Sequence, residues 1–397
     1  MPTNGTRGWA AVTGVAERKP TRWTDGETTI DMTARIGVEA IADAGLELGD
    51  IDGLVCHPMG GVPMLVPSTI GEAMGLRVTY ADTVDLGGAT GAGMVWRAAA
   101  AIHAGQARAV LCVTAARRQR RRAEQPKRSG QNLGRDTSAW AEFEVPFGNV
   151  GANVGYAMIA NRYLYEHGCT PEQLAKIAVH QRDNACQNPD AFFYGQPITV
   201  DDVLGSPLVA DPLHLLEIVM PSAGAAALVV VHPDLVKSTQ RPAAWLLGAG
   251  ECVTHKTITY APSLTETAIR PAADRAFAQA GIGRDQVGLA SLYDCYTITV
   301  IITLEDAGFC AKGDGGPFVA DHDLTYTGDL PCNTHGGQLS YGQAGLAGGA
   351  SHVTEAVVQL RGDAGERQVA ECALAFVNGN GGILSEQCSL VLERGAA

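Results

Sequence analysis

The thiols are the first groups in this sequence that could do covalent chemistry. Single cysteines lie inside apolar runs, as Cys112 and Cys372 do, and this is typical of small core residues in a reducing compartment. No two cysteines form a C-x-x-C pair, and the histidines are not spaced like zinc ligands, so we expect no metal site. The chain of 397 residues holds ten cysteines, at positions 56, 112, 169, 186, 252, 295, 310, 332, 372 and 388.

Three glycine pairs could turn backbone amides towards an anionic ligand. They are Gly336-Gly337, Gly348-Gly349 and Gly381-Gly382. Without a Cβ atom the backbone can approach a ligand closely and point its N–H groups at it. Such pairs are also ordinary in turns, and the residues alone favour that simpler interpretation.

A dense run of positive charge lies in an otherwise acidic chain. Seven lysines and arginines fall within the 12 residues from Arg117 to Arg128, whereas the net charge of the chain is −13. The run lacks the interleaved aromatic residues and the overall basic charge of a nucleic-acid surface, so we expect no nucleic-acid binding. Contact with phosphate groups, contact with an acidic partner and a solvated loop all stay open.

Alternating helices and strands are expected to position these groups. The spacing predicts a helix over residues 34–45 that ends at Gly45, and then a strand over Ile51–Cys56. An alanine-rich helix over Thr90–His103 and a largely apolar strand over Ala107–Ala115 follow. The rhythm of strand, helix and strand predicts an α/β fold.

Two segments of the chain are repeated in the same order. Residues 40–46 match residues 276–282 at an offset of 236, and an apolar strand follows each at the same spacing. A weaker match pairs Ala98–Cys112 with Thr354–Ala375. Two matches in one order indicate an internal duplication.

Composition excludes several other classes of protein. Hydrophobic residues make up 46% of the chain and charged residues 18%, so a large core is expected and disorder is not. The longest apolar run, around Ala223–Val231, is too short to span a membrane and predicts a buried strand. The polar stretch Met1–Arg22 has no apolar core of the signal-peptide type. We expect a cytoplasmic protein that is not anchored to a membrane.

Several segments spread over nearly the whole chain carry a family resemblance. They are Tyr156–Phe193, Met220–Val230, Leu292–Thr297 followed by Leu304–Cys310, Asn333–Ser340 and Gln359–Val369. These segments resemble the thiolase superfamily, in particular its sterol carrier protein X and lipid-transfer-protein-like branch. The resemblance implies a thiolase fold, with duplicated α/β/α/β/α layers and an inserted loop domain. It implies a first repeat over residues 1–116 and 215–240, a loop domain over 117–214 and a second repeat over 241–397.

The chain departs from that family at the residues that do its covalent chemistry. The nucleophilic cysteine of a thiolase matches Gly88, and the histidine that activates it matches Gln343. The second family cysteine, which shuttles a proton, falls near Asn378. Because covalent acyl transfer needs a nucleophile with an adjacent base, the thiolase mechanism is not expected here.

The remaining features resemble the thiolase-like aldolases of bacterial steroid side-chain breakdown. This resemblance implies retro-aldol cleavage of a β-hydroxyacyl-CoA, with acid–base work by Tyr293 and Tyr341. A phenol, with an ordinary pKa of about 10, is a poor base at pH 7 but a good donor and proton relay, so we leave open which tyrosine is the base. Both side chains could instead be ordinary core tyrosines with backbone partners.

Other residues near these tyrosines have weaker claims to a role. His335 could donate to a thioester oxygen or be a structural turn residue. Tyr296 rivals Tyr293, because the two could share one side of a helical turn, although packing is the favoured interpretation. Asp294 could orient a tyrosine, but helix capping is favoured. A nucleophilic role is disfavoured for Cys295 and for Cys332.

Coenzyme A is expected only as part of the substrate, with no permanently bound cofactor. The resemblance implies that Arg117 and Arg118 contact its phosphates and that Gly336, Gly337, Gly381 and Gly382 approach the thioester. It also implies a homodimer and a small partner protein with an oligonucleotide-binding (OB) fold and zinc-ribbon type domain. An acyltransferase using an unexpected nucleophile such as Cys295, and a non-catalytic acyl-CoA or lipid-binding subunit, are the alternatives.

Overall fold

Eleven strands and twelve α-helices make up the described part of the chain in a computed structural model, which covers residues 7–24, 26–62, 64–120, 138–239 and 241–395. The strands are β1 (Ala11–Glu17), β2 (Gly53–Cys56), β3 (Tyr80–Thr83), β4 (Ala109–Ala116), β5 (Leu208–Ala210), β6 (Leu213–His214), β7 (Gly224–Val231), β8 (Ala244–Val253), β9 (Leu289–Leu292), β10 (Leu374–Gly381) and β11 (Glu386–Arg394). The helices are α1 (Thr29–Asp43), α2 (Val66–Met74), α3 (Thr90–His103), α4 (Ala139–Phe143), α5 (Ala152–His167), α6 (Pro171–Cys186), α7 (Val200–Gly205), α8 (Ile269–Ala280), α9 (Thr297–Asp306), α10 (Gly315–Asp321), α11 (Gly337–Ser340) and α12 (Gly348–Arg361).

Nine of these strands form one mixed sheet with two similar halves. Its order is β3-β2-β4-β7-β1-β8-β11-β10-β9, and β5 pairs with β6 in a separate two-stranded sheet. Strands β2 and β4 are parallel to each other, as are β9 and β10. Towards the middle of the sheet, β4 pairs with the antiparallel strand β7, and β10 pairs with the antiparallel strand β11. The halves meet where Ala11 of β1 pairs with Trp245 of β8. The strand order of one half therefore mirrors that of the other.

The helices form layers on either side of the two half-sheets. Helix α1 packs against β1, β4 and β7, and α8 packs against β8 and β11. Helices α3 and α12 pack against each other and contact strands of both halves. The resulting order of layers is α/β/α/β/α, with α3 and α12 in the middle.

Equivalent close approaches of a helix to a glycine occur in both halves. A Cβ atom on Gly14 would lie 2.2 Å from the carbonyl oxygen of Ala40, and one on Gly248 would lie 2.0 Å from that of Ala276. Ala40 and Ala276 are separated by the same offset of 236 that relates the repeated segments. Each glycine thus lets its helix contact the strand directly, so the two halves share the same helix-to-strand packing.

The predicted elements agree well with those in the structure. The helix Thr90–His103 has the predicted bounds, and the strand predicted over Ala223–Val231 is β7. Helices α4 to α7 and the β5–β6 hairpin lie within 117–214, the segment predicted as an insertion. Buried residues of α5 and α6 share one hydrophobic core with α9 and β9 of the second half. The bounds of the three domains stay a prediction.

No helix in the described ranges combines the length and the apolar surface that a bilayer span requires.

Candidate active site around Gly88 and Tyr293

The N-termini of the two central helices meet at Gly88. This residue lies in the turn before α3, and its carbonyl oxygen would be only 1.9 Å from a Cβ atom on Gly349, in the first turn of α12. Glycine at both positions therefore permits the close approach. Because the N-terminus of a helix carries partial positive charge, two of them together favour an anion at this point.

Tyr293 fills the space beside Gly88. A Cβ atom on Gly88 would lie 2.4 Å from Cζ and 2.6 Å from Cε2 of the Tyr293 ring. Tyr293 directly follows β9, and its backbone N–H donates to the Asn378 carbonyl over 2.9 Å, which fixes it relative to β10. The tyrosine is buried. The position that matches the thiolase nucleophile therefore faces a phenol.

Gln343, at the position of the family histidine, binds the hydroxyl of that phenol. Its Nε2 donates to Tyr293 Oη over 2.6 Å. Its backbone is held by Met220, whose carbonyl accepts from the Gln343 N–H over 2.8 Å. Since the tyrosine oxygen accepts from the amide, its own hydrogen is available to a substrate.

The Tyr293 hydroxyl is protonated at neutral pH. Burial raises the pKa of Tyr293 well above its ordinary value, and the hydrogen bond from Gln343 only partly opposes this. Desolvation disfavours the charged phenolate, so the side chain acts as a donor before it acts as a base. This agrees with the sequence argument that an unaided phenol is a poor base.

Asp294 organises the loop next to Tyr293. Its carboxylate accepts from the backbone N–H groups of Gln338, over 2.7 Å, and Leu339, over 3.1 Å. His352 Nε2 lies 3.4 Å from Asp294 Oδ1, and its ring is 5.6 Å from the Tyr293 ring. Burial raises the pKa of Asp294, and the hydrogen bond with His352 opposes it. The favoured capping role thus applies to α11 and not to α9, the next helix along the chain.

Gly336 and Gly337 shape the turn that Asp294 caps. Their φ angles are 111° and 62°, in the left-handed region. A Cβ atom on Gly337 would lie 2.2 Å from Asp294 Oδ2. These glycines therefore allow the carboxylate to approach the helix, and their predicted contact with the thioester stays a prediction.

Tyr341 and His335 lie in a second group of side chains. A chain of ring contacts leads from Tyr293 through His352 and His335 to Tyr341, since His335 is 5.1 Å from His352 and 5.2 Å from Tyr341. Within the described ranges no hydrogen bond joins the two tyrosines directly. Tyr293 and Tyr341 therefore belong to one cluster of side chains, but their hydroxyl groups share no hydrogen-bond partner among the described residues.

His335 is buried and carries unused hydrogen-bonding capacity. Neither ring nitrogen has a partner among the described residues. Burial, with contributions from His352 and Arg367, lowers the pKa of His335 well below its ordinary value, so the ring is neutral. Its ring nitrogens are therefore available to a substrate atom or to water. The role as a donor stays a prediction.

Glu17 borders the same group of side chains and was not found by the sequence analysis. It ends β1, and burial raises its pKa to about 7, against hydrogen bonds from Ser351 and Tyr341. A glutamate at the end of a strand gives no local signal of this environment. The cavity it shares with Tyr341 and His335 has a volume of about 170 Å³.

Gly381 and Gly382 lie at the end of β10, close to the turn before α3. A Cβ atom on Gly381 would be 1.9 Å from the Leu86 carbonyl oxygen. The carbonyl of Gly382 accepts from Tyr156 Oη over 3.1 Å. Gly382 also borders a cavity of about 340 Å³ lined by Trp140, Val150, Gly151, Ala152, Lys256 and Ile383.

The two arginines predicted to contact coenzyme A have different environments. Arg117 is exposed. Arg118 lies 4.6 Å from the Trp23 ring, and its Nη1 donates to the Pro221 carbonyl over 2.6 Å. Positions 121–128 of the basic run lie outside the described residues. Phosphate contact by Arg117 and Arg118 stays a prediction.

Tyr296 has a separate environment from Tyr293. Tyr296 has extended backbone angles before α9, so the expectation that the two share a helical turn is wrong. Its hydroxyl donates to Asn153 Oδ1 over 2.6 Å, and its ring stacks on Tyr156 at 4.3 Å. These contacts agree with the favoured packing interpretation.

The two cysteines near the site are buried thiols. Burial raises the pKa of Cys295 to about 12, and it raises that of Cys332 above the ordinary range. A thiolate is the reactive form of cysteine, so neither environment activates a nucleophile. In the part of the chain that is described, no group of three or more histidines, cysteines or acidic residues is arranged to hold a metal ion.

Comparisons with known proteins agree with this geometry. Residues 250–394 match the family described as thiolase C-terminal domain-like. A steroid side-chain-cleaving aldolase from Thermomonospora curvata is 34% identical over 367 residues, which cover 89% of this chain and 91% of that protein. A 17-hydroxy-3-oxo-4-pregnene-20-carboxyl-CoA lyase from Mycobacterium tuberculosis is 32% identical over 371 residues, covering 89% of this chain and 92% of that one.

Solved structures extend the likeness to three dimensions. The Ltp2-ChsH2(DUF35) aldolase superposes with a TM-score of 0.86 at 31% identity, over 98% of each chain. Human mitochondrial 3-ketoacyl-CoA thiolase gives a TM-score of 0.72 at 15% identity, over 98% of this chain and all of that one, which concerns the fold alone. Fold and site together define a thiolase-fold protein in which the ring of Tyr293 packs against Gly88. The chain belongs to the thiolase superfamily, and the predicted fold is confirmed.

Proposed function

We propose that this protein is a carbon–carbon lyase that cleaves a β-hydroxyacyl-CoA by a retro-aldol reaction. The products are a ketone and a short acyl-CoA such as propionyl-CoA or acetyl-CoA. The observation that carries the proposal is the Tyr293 ring beside Gly88. A phenol stands where covalent acyl transfer would need a thiolate, so the chemistry that remains is acid–base work on a bound thioester.

Each requirement of the reaction has a candidate group. The β-hydroxyl loses its proton, the bond between the α- and β-carbons breaks, and its electron pair enters the thioester as an enolate. The N-termini of α3 and α12, together with the Tyr293 hydroxyl, are suited to stabilise that negative charge. The α-carbon then takes up a proton. Tyr293 and Tyr341 share the acid–base steps, and His335 donates to a thioester oxygen.

The acyl group is proposed to be a steroid side chain or a similar bulky group. Support comes from the relatives named as a steroid side-chain-cleaving aldolase and as a pregnene carboxyl-CoA lyase. Coenzyme A is bound as part of the substrate, with Arg117 and Arg118 near its phosphates and Gly336, Gly337, Gly381 and Gly382 near its thioester. The cavity beside Gly382 and Trp140 supports an entry route on that side.

A homodimer and a small partner protein complete the proposal. The solved relative named for Ltp2 together with ChsH2(DUF35) supports a partner, which we expect to carry an OB-fold and zinc-ribbon type domain. Strand β3 is the last strand on the first half of the sheet, so its free edge could pair with a second copy. Analytical ultracentrifugation of the chain, alone and with its partner, measures both assemblies.

The experiment is a cleavage assay with a steroid β-hydroxyacyl-CoA and the partner protein, followed by mass spectrometry of the products. Wild-type protein should release the ketone and the short acyl-CoA in equal amounts. The Tyr293→Phe and Tyr341→Phe variants should each lose activity by about a hundredfold or more, since a positioned acid or base contributes about 10²–10⁴ to a rate.

A matched control is Tyr165→Phe, because Tyr165 is an exposed tyrosine with 82% relative exposure. This variant should cleave at the wild-type rate. The proposal is wrong if the wild-type complex cleaves no such thioester, or if the double Tyr293→Phe, Tyr341→Phe variant keeps full activity.

A further inference from the structure

A small polar cavity lies behind Tyr341. Its volume of about 170 Å³ is lined by acidic, basic and neutral polar groups of several elements. A cavity of this volume has room for several water molecules. Its lining residues include Glu17, Asp190, His335, Tyr341, Glu355 and Arg367. Such a cavity can carry protons between buried groups and water.

Of the acidic groups in this cavity, Glu17 has the largest electrostatic effect on Tyr341, ahead of Asp190 and Glu355. The hydroxyl of Ser351, from the second turn of α12, donates to Glu17 Oε1. Hydrogen bonds from Ser351 and from the Tyr341 side chain lower the pKa of Glu17, but burial dominates and raises it to about 7. Glu17 is therefore able to hold or release a proton near neutral pH.

Among the other charged groups around the cavity, Glu355 and Arg367 pair with each other, and Asp190 is exposed. Arg367 Nη2 binds Glu355 Oε2 over 2.8 Å, so this cation is neutralised by a partner other than Glu17. Glu355 faces Glu17 from α12 and raises its pKa, while Arg367 lowers it by a smaller amount. Asp190 approaches from the loop after α6, and the buried ring of His335 is neutral. These groups leave Glu17 free to change its charge.

We propose that Glu17 accepts the proton that the substrate hydroxyl passes to Tyr341. This inference rests on the proposed lyase function and assigns its two tyrosines different roles. The β-hydroxyl proton moves to Tyr341 Oη as the phenolic proton of Tyr341 moves to the Glu17 carboxylate. The electron pair of the hydroxyl forms the ketone, and the pair of the broken carbon–carbon bond forms the enolate.

The remaining proton transfers take place at Tyr293 and at Glu17. Tyr293 stabilises the enolate and gives its phenolic proton to the α-carbon. Tyr293 then regains a proton from water, while Glu17 releases one proton to water in the cavity. Glu17 does not touch the substrate and acts through Tyr341, so it is a positioning and proton-accepting residue. In this proposal Tyr341 is the general base of the reaction, and Tyr293 is the general acid.

The test compares the pH profile of kcat/KM for wild type and Glu17→Gln in complex with the partner. Wild-type activity should rise as pH increases through about 7, because the carboxylate is the active form. Glu17→Gln should lower kcat about a hundredfold and remove that inflection, with KM for the acyl-CoA little changed. A purely structural role would lower activity without altering the profile.

A second variant tests the same inference without removing the carboxylate. Ser351→Ala deletes a hydrogen bond that lowers the pKa of Glu17, so the inflection should move to higher pH. This variant keeps the question decidable if Glu17→Gln fails to fold. Thr354→Val is the matched control, since Thr354 lines the same cavity but its hydroxyl binds its own helix at Ala350. It should keep the wild-type profile.

The outcomes separate this inference from the lyase proposal. A wild-type complex that cleaves the substrate, with a Glu17→Gln variant that cleaves equally fast and with the same pH profile, overturns the role of Glu17 alone. An inflection that stays in place in Ser351→Ala overturns it as well. A wild-type complex without cleavage overturns the lyase proposal itself.

Discussion

The ring of Tyr293 occupies the volume that a side chain on Gly88 would need. A Cβ atom on Gly88 would also lie 2.3 Å from the Asn380 carbonyl oxygen, so neither the ring nor the backbone leaves room for it. Any side chain at position 88 therefore requires the Tyr293 ring and the Asn380 backbone to move.

A Gly88→Ala substitution should destabilise the fold, because the added atom meets both a ring and backbone. We expect a loss of about 1–3 kcal/mol in the free energy of unfolding, as for other overpacked sites. Urea denaturation measures it. Gly49→Ala is the control, since nothing lies within 4 Å of a Cβ atom there. Equal stability of the two variants would show that both the Tyr293 ring and the Asn380 backbone move aside without cost.

A Gln343→Leu substitution should slow cleavage by about fivefold. It removes the amide that holds the Tyr293 hydroxyl, a hydrogen bond worth about 1 kcal/mol. Loss of this donor also raises the pKa of Tyr293 further, which makes it a weaker acid. Steady-state kcat of the complex measures the effect, with the exposed Gln106→Leu as the control. An unchanged kcat would show that Gln343 does not contribute to catalysis.

Cys295 should resist alkylation in the folded protein. Its buried thiol has a pKa of about 12, so very little thiolate is present at neutral pH. Peptide mapping after brief iodoacetamide treatment should find Cys252, which is partly exposed, modified before Cys295. A Cys295→Ser variant should keep its lyase activity. Rapid modification of Cys295 together with loss of activity would favour the acyltransferase alternative.

Stability should depend on pH through Glu17. Its pKa rises from 4.5 to about 7 on folding, so the folded chain binds more protons than the unfolded chain in that window. Rising pH therefore lowers the free energy of unfolding there, and the loss is complete above about 7. Relative to wild type, Glu17→Gln should become more stable as pH rises through the window. Urea unfolding of both proteins at several pH values checks this, and a constant difference would contradict it.

Much of the fold follows from periodicity and spacing. The helix Thr90–His103 could be predicted because alanine-rich helical spacing ends at a glycine, and β7 because a long apolar run suits a buried strand. The repeat at an offset of 236 predicted the duplication that the strand order reflects. These signals are local, or they compare one segment with another.

The site could be predicted only in part, because its contacts join distant parts of the chain. The sequence shows Gly88 and Gln343 where the family resemblance expects a cysteine and a histidine. It does not show that Gln343 binds Tyr293. Glu17 at the end of the first strand binds Ser351 of α12 and lines the same cavity as Tyr341, a contact that only packing of α12 on β1 creates. Tyr296 was misplaced because helical spacing was assumed for residues that are extended.

Intact-mass spectrometry of the protein during turnover distinguishes non-covalent cleavage from covalent acyl transfer. With a β-hydroxyacyl-CoA in excess, we expect ketone and short acyl-CoA to accumulate while the mass of this chain stays unchanged. An acyl group that appears on the chain and disappears at the rate of product formation would contradict this expectation.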